Sequence, residues 1–123
     1  MATRQIIGLH RPVTSSQERG VRRRKQLVDA ARNLLLEAPP EKISFKDIAK
    51  TAGVPEGSAY HFFANKYDVF SALASQYGQD IFDQVMRPYD PDSVPTWRSL
   101  IEAMIDRVTE FYRSDLVARK VLL

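Results

Sequence analysis

The side chains of this 123-residue chain that are best suited to chemistry lie close together, in the segment PEGSAYHFFANK at positions 55–66. The segment offers a carboxylate, a hydroxyl, a phenol, an imidazole and an ammonium group. Catalysis by His61 would require a nucleophile or a carboxylate held beside it, but its neighbours along the chain are Tyr60 and Phe62. No acidic pair stands with a histidine at metal-ligand spacing. We therefore interpret the segment as a binding surface, and we expect no enzyme, no metal and no cofactor.

The same polar groups suit a nucleic acid. In a major groove, the Glu56 carboxylate can accept from cytosine N4, the Ser58 hydroxyl can donate or accept, and Gly57 permits close approach of the backbone. Tyr60 and His61 can donate to phosphate oxygens. The alternative for these two residues is an ordinary packed aromatic and an inert, partly buried histidine.

The charge distribution favours a polyanionic partner for the first half of the chain. Residues 1–66 contain 12 Lys/Arg and 6 Asp/Glu, whereas residues 67–123 contain 6 and 9. The run Arg22-Arg23-Arg24-Lys25 is either a phosphate-binding patch or a solvated helix face. Arg4 and Arg11 lie in a segment without periodicity, which we interpret as a flexible arm that either enters a minor groove or has no role.

Two further features concern the compartment. The chain has no cysteine, and its first twenty residues contain no continuous apolar segment of a secretory signal. No apolar run approaches the roughly 18 residues of a membrane span. We expect a cytoplasmic protein without a membrane partner.

Three helices must position the segment. An apolar stripe that includes Val21, Val28 and Leu35 predicts a first helix, which Pro39-Pro40 ends. Ser44 and Asp47 form a capping-box pattern that begins a second helix, and Gly53 ends it. Pro55 can open a short third helix, which we expect to reach about Phe62. Helices joined at such a glycine, with the small Ala49 at their crossing, predict a helix-turn-helix.

The rest of the chain is also predicted to be helical. Asn65 caps a long fourth helix whose inward side includes Ile81 and Val85, and Thr96 caps a fifth after a proline-rich loop at 87–96. Ser114-Asp115 begin a sixth. The fold class is therefore all-α, with a basic arm at 1–15, a helix-turn-helix domain at 16–66, and a linking helix with an incomplete helical domain at 67–123.

The sequence SFKDIAKTAGVPEGSAYHFFANK at 44–66 resembles the signature VxxIAxxAGVxxGxxYxxFxxK of the TetR/AcrR family of transcriptional regulators. The resemblance covers the first four predicted helices. It implies a DNA-binding domain, a helical domain that binds a small-molecule effector, and a homodimer that reads a palindromic operator in double-stranded DNA. It also implies a repressor that releases the operator when the effector binds.

Carried over by position, the resemblance assigns roles to individual residues. The implied base or groove contacts are Lys46, Pro55, Glu56, Gly57 and Ser58, and the implied phosphate contacts are Ser44, Tyr60, His61 and Lys66. The implied lining of an effector pocket is Trp97, Met104 and Phe111, which at their spacing are otherwise plain core residues.

Members of this family are considerably longer than 123 residues. We expect a truncated product or fragment, with a compact variant as the alternative, and weak or absent dimerisation, because the dimer-forming helices would be missing. The apolar faces of the fifth and sixth helices would then have little to pack on. Two other interpretations remain open: a helical protein–protein interaction module, and a fragment that does not regulate.

Overall fold

The computed structural model describes residues 15–123, and every regular element within this range is helical, as predicted. The predicted arm lies outside the described residues except for Ser15, with which the first helix begins. A short 3-10 helix at Pro40–Lys42 joins the first two α-helices. The α-helices of the described range are α1 Ser15–Leu35, α2 Phe45–Ala52, α3 Glu56–Ala59, α4 Lys66–Met86, α5 Trp97–Ser114 and α6 Leu116–Leu122.

One apolar core joins α1, α2, α4 and α6. Its buried members recur along each helix at the spacing of one helix face, so each helix contributes an apolar stripe. The largest of them are Leu27, Val28, Leu35, Ile48, Val69, Leu73 and Val117. The helix-turn-helix and the linking helix are therefore not independent of the last helix, which packs on α4 and also touches α1.

The predicted burial of Val21 is wrong, and the predicted burial of Ile81 and Val85 is only partly right. Val21 is 68% exposed, because the buried residues of α1 lie between Leu27 and Leu35 and the start of the helix extends past the core. Ile81 and Val85 are half-buried, since the second half of α4 packs mainly on α5 rather than inside the core.

The prediction that the last two helices have little to pack on holds for α5 but not for α6. α5 contains no fully buried residue, and its Trp97, Ile101 and Ile105 are exposed, so this helix has little to pack on, as expected. The same expectation is wrong for α6, because Val117 and Ala118 are fully buried against the core.

A polar network fastens α6 to α1 and α4. The Arg32 Nε–H donates to the Tyr77 hydroxyl at 2.8 Å, and this hydroxyl donates to Asp115 Oδ1 at 3.2 Å. Arg32 Nη2 also lies 3.6 Å from Asp115 Oδ2. Burial raises the pKa of Tyr77, and the hydrogen bond that Arg32 donates to Tyr77 raises the pKa of Arg32. One turn further along α6, the Lys120 ammonium donates to the Leu35 carbonyl at the end of α1.

The loop at 87–96 is fixed at its beginning by Arg107 of α5. The guanidinium donates to the carbonyls of Gln84 at 3.0 Å and Arg87 at 2.6 Å, where α4 has free acceptors. It also lies 3.5 Å from the centre of the Tyr89 ring. The end of α4 is thus tied to the neighbouring helix by one side chain.

Candidate nucleic-acid interface

The start of α2 is set by a reciprocal pair of hydrogen bonds. The Asp47 N–H donates to Ser44 Oγ at 3.0 Å, and the Ser44 N–H donates to Asp47 Oδ2 at 3.1 Å, so the predicted capping box is present. Hydrogen bonding to the Asp47 carboxylate from the Ser44 backbone N–H, and after it from the Ser44 side chain, lowers the pKa of the Asp47 carboxyl. Lys46 lies between the two capping residues and is exposed.

The turn between α2 and α3 depends on one left-handed residue. Gly53 has φ 73° and ψ 25°, and its N–H reaches the carbonyls of Ala49 and Lys50. The Val54 N–H donates to the Ala49 carbonyl at 3.0 Å, which directs the Val54 side chain into the core. Ala49 is only 1% exposed, so a larger side chain would separate the two helices.

The turn presents an exposed edge. Pro55, Glu56 and Gly57 are exposed and Ser58 is half-buried, whereas Ala59 behind them is fully buried. A Cβ placed on Gly57 would meet nothing within 4 Å, so the backbone here is open to an approaching partner. Of the predicted groove residues, Lys46, Pro55, Glu56 and Gly57 are therefore exposed, and Ser58 is half-buried.

The third helix is shorter than predicted. It ends at Ala59, after which the His61 N–H donates to the Ser58 carbonyl and the Phe62 N–H donates to the Ala59 carbonyl, both at 3.0 Å. Hydrogen bonds of this kind, to the carbonyl three residues back, are common where a helix ends. They turn the chain so that Phe63, only 6% exposed, enters the core.

The aromatic residues of this turn divide into two sets. The Tyr60 ring packs against Phe45 with 4.6 Å between ring centres while its residue remains 52% exposed, and His61 is exposed beside it. Phe62 and Phe63 pack inward. The first set is available to a partner, and the second holds the turn to the core.

Lys66 has a structural use that the sequence did not indicate. Its ammonium donates to the Ile43 carbonyl at 2.8 Å and to the Pro40 carbonyl at 3.1 Å, and the residue is half-buried. Two of its three N–H donors thus connect the first turn of α4 to the segment before α2. Asn65 accepts from the Asp68 N–H at 3.1 Å and caps α4, as predicted.

The basic run of α1 contains side chains in different environments. Arg24 lies over the Phe63 ring at 5.0 Å, and Lys25 pairs with Asp29 at 2.8 Å. Arg23 instead borders a notch of about 330 Å³ between α1 and the turn after α3. The residues that line the notch are Ser16, Arg19, Gly20, Arg23, Ser58, His61 and Phe62. Sequence reasoning passed over Ser16 and Arg19, although Arg19 and Arg23 are one helical turn apart.

The predicted effector residues differ in their exposure. Trp97 is 74% exposed, whereas Met104 and Phe111 are half-buried. Phe111 packs edge-on against Tyr77 and lines a cavity of about 460 Å³ between α4 and the α5–α6 junction. Neither Trp97 nor Met104 lines that cavity, whose other residues are Asp80, Asp83, Gln84, Arg87, Ser114 and Asp115.

The described part of the chain contains neither a candidate metal site nor a candidate membrane span. Over residues 15–123, no three His, Asp or Glu side chains are grouped so that they could hold a metal ion. None of the helices in the same range is long and apolar enough to span a bilayer.

Comparison with known proteins agrees with this geometry. Residues 27–73 match the family model described as bacterial regulatory proteins, tetR family. The matched segment runs from the middle of α1 into α4 and contains the whole helix-turn-helix. A search among curated proteins gave no match to the chain. This match supports a regulator of the tetR family, a family of DNA-binding transcriptional regulators.

Proposed function

We propose that this chain binds a specific operator by placing the exposed edge formed by residues 55–58 in the major groove. The observation that carries the proposal is the division between outward and inward residues in this segment. Pro55, Glu56 and Gly57 are exposed, while Val54 and Ala59 fix the segment to the core. A rigid mounting lets a few side chains meet base edges in a fixed register.

Further side chains surround this edge on the same unit. Lys46 is the fifth proposed groove contact. Ser44, Tyr60 and His61 are exposed and are proposed to donate to phosphate oxygens; Lys66, with two donors already used, contributes its remaining N–H and its charge. We assign residues 16–66 to DNA binding and residues 67–123 to effector binding, and we place the protein in the cytoplasm with its DNA.

A salt titration of binding to duplex DNA tests this proposal. The logarithm of affinity should fall linearly with the logarithm of salt concentration, because bound phosphates release counterions. One duplex selected from a random pool should also bind more tightly than bulk DNA. Glu56→Ala or Ser58→Ala should change the preference at one base position by about 1–3 kcal/mol. Binding that is absent, or equal for all duplexes at all salt concentrations, would refute the proposal.

We also propose that two copies occupy a palindromic operator, although they associate weakly or not at all without DNA. We further propose that the chain is a repressor released by a small molecule. The support is the 460 Å³ cavity lined by Phe111 and Asp115, because Asp115 also joins the network that reaches Arg32 of α1. A ligand that moved Asp115 would therefore disturb the helix on which the DNA-binding unit packs. A compound that lowers DNA affinity and raises the melting temperature of the wild type, but not of Phe111→Ala, would support this site. Equal stabilisation of both proteins would contradict it.

A protein–protein interaction module is the second function that a specific observation favours. Trp97, Ile101 and Ile105 lie four residues apart on α5 and are 74%, 44% and 58% exposed. Such a stripe is typical of a helix face that meets another protein surface. A protein of this kind would show no sequence preference in the titration described above.

A further inference from the structure

The notch between α1 and the turn after α3 has a composition suited to an anion. Arg19 and Arg23 extend from adjacent turns of one helix face, and Ser16 precedes them by another turn. Ser58 and His61 lie on the opposite wall. None of the residues that line the notch is acidic, so a negative group would meet positive charge and hydrogen-bond donors there and no carboxylate.

The neighbouring basic residues are not equivalent to these two arginines. Arg24 lies over Phe63 and Lys25 is paired with Asp29, so both already have partners within the protein. Arg22 is exposed but does not line the notch. The run of four basic residues thus contributes one side chain to the notch, and Arg19, outside the run, contributes the other.

We propose that the notch holds a backbone phosphate of the operator, bound by Arg19 and Arg23. This inference rests on the proposed DNA-binding function. A guanidinium can donate two parallel N–H bonds to phosphate oxygens, which fixes position as well as supplying charge. Because Ser58 lies on the other wall and also belongs to the reading edge, a phosphate seated here sets how deeply α3 enters the groove.

The test is fluorescence anisotropy on the selected operator duplex, over a range of salt concentrations. Arg19→Gln and Arg23→Gln should each weaken binding about tenfold, as expected for a lost charge-assisted hydrogen bond, and lower the salt slope by about one. Arg98→Gln removes the same charge from the exposed α5. It should change affinity less than about twofold, because Arg98 does not line the notch and salt screens its charge. Unchanged urea midpoints would show that the variants fold.

Two further variants separate a defined site from a diffuse basic face. Arg22→Gln should cost clearly less than Arg23→Gln. Arg23→Lys keeps the charge and the salt slope but loses the planar guanidinium with its two parallel N–H donors, so this variant should still bind more weakly than the wild type. If Arg19→Gln and Arg23→Gln behave like Arg22→Gln, or if Arg23→Lys binds as well as the wild type, the notch is not a phosphate site. If the wild type itself shows no salt-dependent binding, the proposed function fails instead.

A free anion is the other possible source of the phosphate chemistry. Inorganic phosphate, titrated at constant ionic strength into the ¹⁵N-labelled protein, should leave the amide signals of residues 16–23 unmoved at millimolar concentrations, since it lacks the groove contacts that hold DNA. Saturable shifts at these residues with inorganic phosphate alone would show a free-anion site and overturn the proposal.

Discussion

Replacing Lys66 by methionine tests whether this residue serves the fold as well as the proposed DNA interface. The ammonium of Lys66 donates to two carbonyls, Ile43 O at 2.8 Å and Pro40 O at 3.1 Å, that precede α2. Methionine keeps much of the length and apolar area of the side chain but cannot donate. The variant therefore removes both hydrogen bonds while leaving the packing of the side chain largely intact.

The expected loss follows from the state of the two acceptors. The Pro40 carbonyl keeps a second partner, because the Ile43 N–H donates to it at 3.2 Å. The Ile43 carbonyl loses its charged donor. Hydrogen bonds to charged groups contribute about 1.5–3 kcal/mol, and the half-buried position favours the middle of this range, about 2 kcal/mol. At about 4 °C per kcal/mol for a chain of this size, the melting temperature should fall by about 8 °C.

Urea unfolding followed by circular dichroism measures this loss, with Lys46→Met as the control. Lys46 is exposed on α2 and has no such role, so its variant should unfold within about 0.5 kcal/mol of the wild type. DNA affinity should be measured well below the unfolding transition, so that the two effects of Lys66→Met are separated. An unchanged free energy of unfolding with a lowered salt slope would refute the structural role and leave Lys66 as a phosphate contact alone.

Three further predictions concern stability. Gly53→Ala should lower the free energy of unfolding by about 1–2 kcal/mol, because φ is 73° there although nothing lies within 4 Å of the new Cβ. Gly78→Ala inside α4 should instead raise the free energy of unfolding by about 0.5–1 kcal/mol. Equal effects of the two substitutions in urea titrations would contradict this. Asp47 has a lowered pKa in the folded state, so its stabilisation is present above the unfolded value near 3.8 and is lost as pH falls through the folded value. The difference in urea midpoint between the wild type and Asp47→Asn should therefore shrink below about pH 4, and a constant difference would rule this out. Val117→Ala should lower the free energy of unfolding by about 2 kcal/mol, and Leu116→Ala, at a 41% exposed site, should lower it much less. Thermal melts that do not distinguish the two variants would mean that α6 is detached from the core.

The parts of the fold that depend on neighbours in sequence could be predicted from the residues alone. Ser44, Asn65 and Thr96 each cap a helix by accepting an N–H three residues further on, and Gly53 takes the left-handed conformation at the end of α2. These outcomes follow from side-chain chemistry within one turn of the chain.

The features that were missed depend on contacts between distant segments. Periodicity gives the apolar face of α1 but not where the core begins along it, and for that reason Val21 was placed inside. The burial of Val117 requires α1 and α4 to form a surface for it, and the hydrogen bonds of Lys66 span 23 and 26 residues. Nothing local distinguishes Lys66 from an ordinary surface lysine.

The candidate site shows the same division. The exposed edge at 55–58 could be predicted from the turn and from the resemblance that its residues carry. The notch could not, because Arg19 and His61 lie 42 positions apart in the sequence and become neighbours only when α3 packs against α1.

The most direct test of DNA reading by the α2–α3 unit is an amide map of the ¹⁵N-labelled protein during titration with the selected operator duplex. We predict that the largest chemical-shift changes fall on residues 44–46, 56–61 and 16–23, with little change along the exposed face of α5 around Ile101 and Ile105. Shifts confined to α5, with the signals of 56–61 unmoved at saturation, would contradict the central claim that this surface reads DNA.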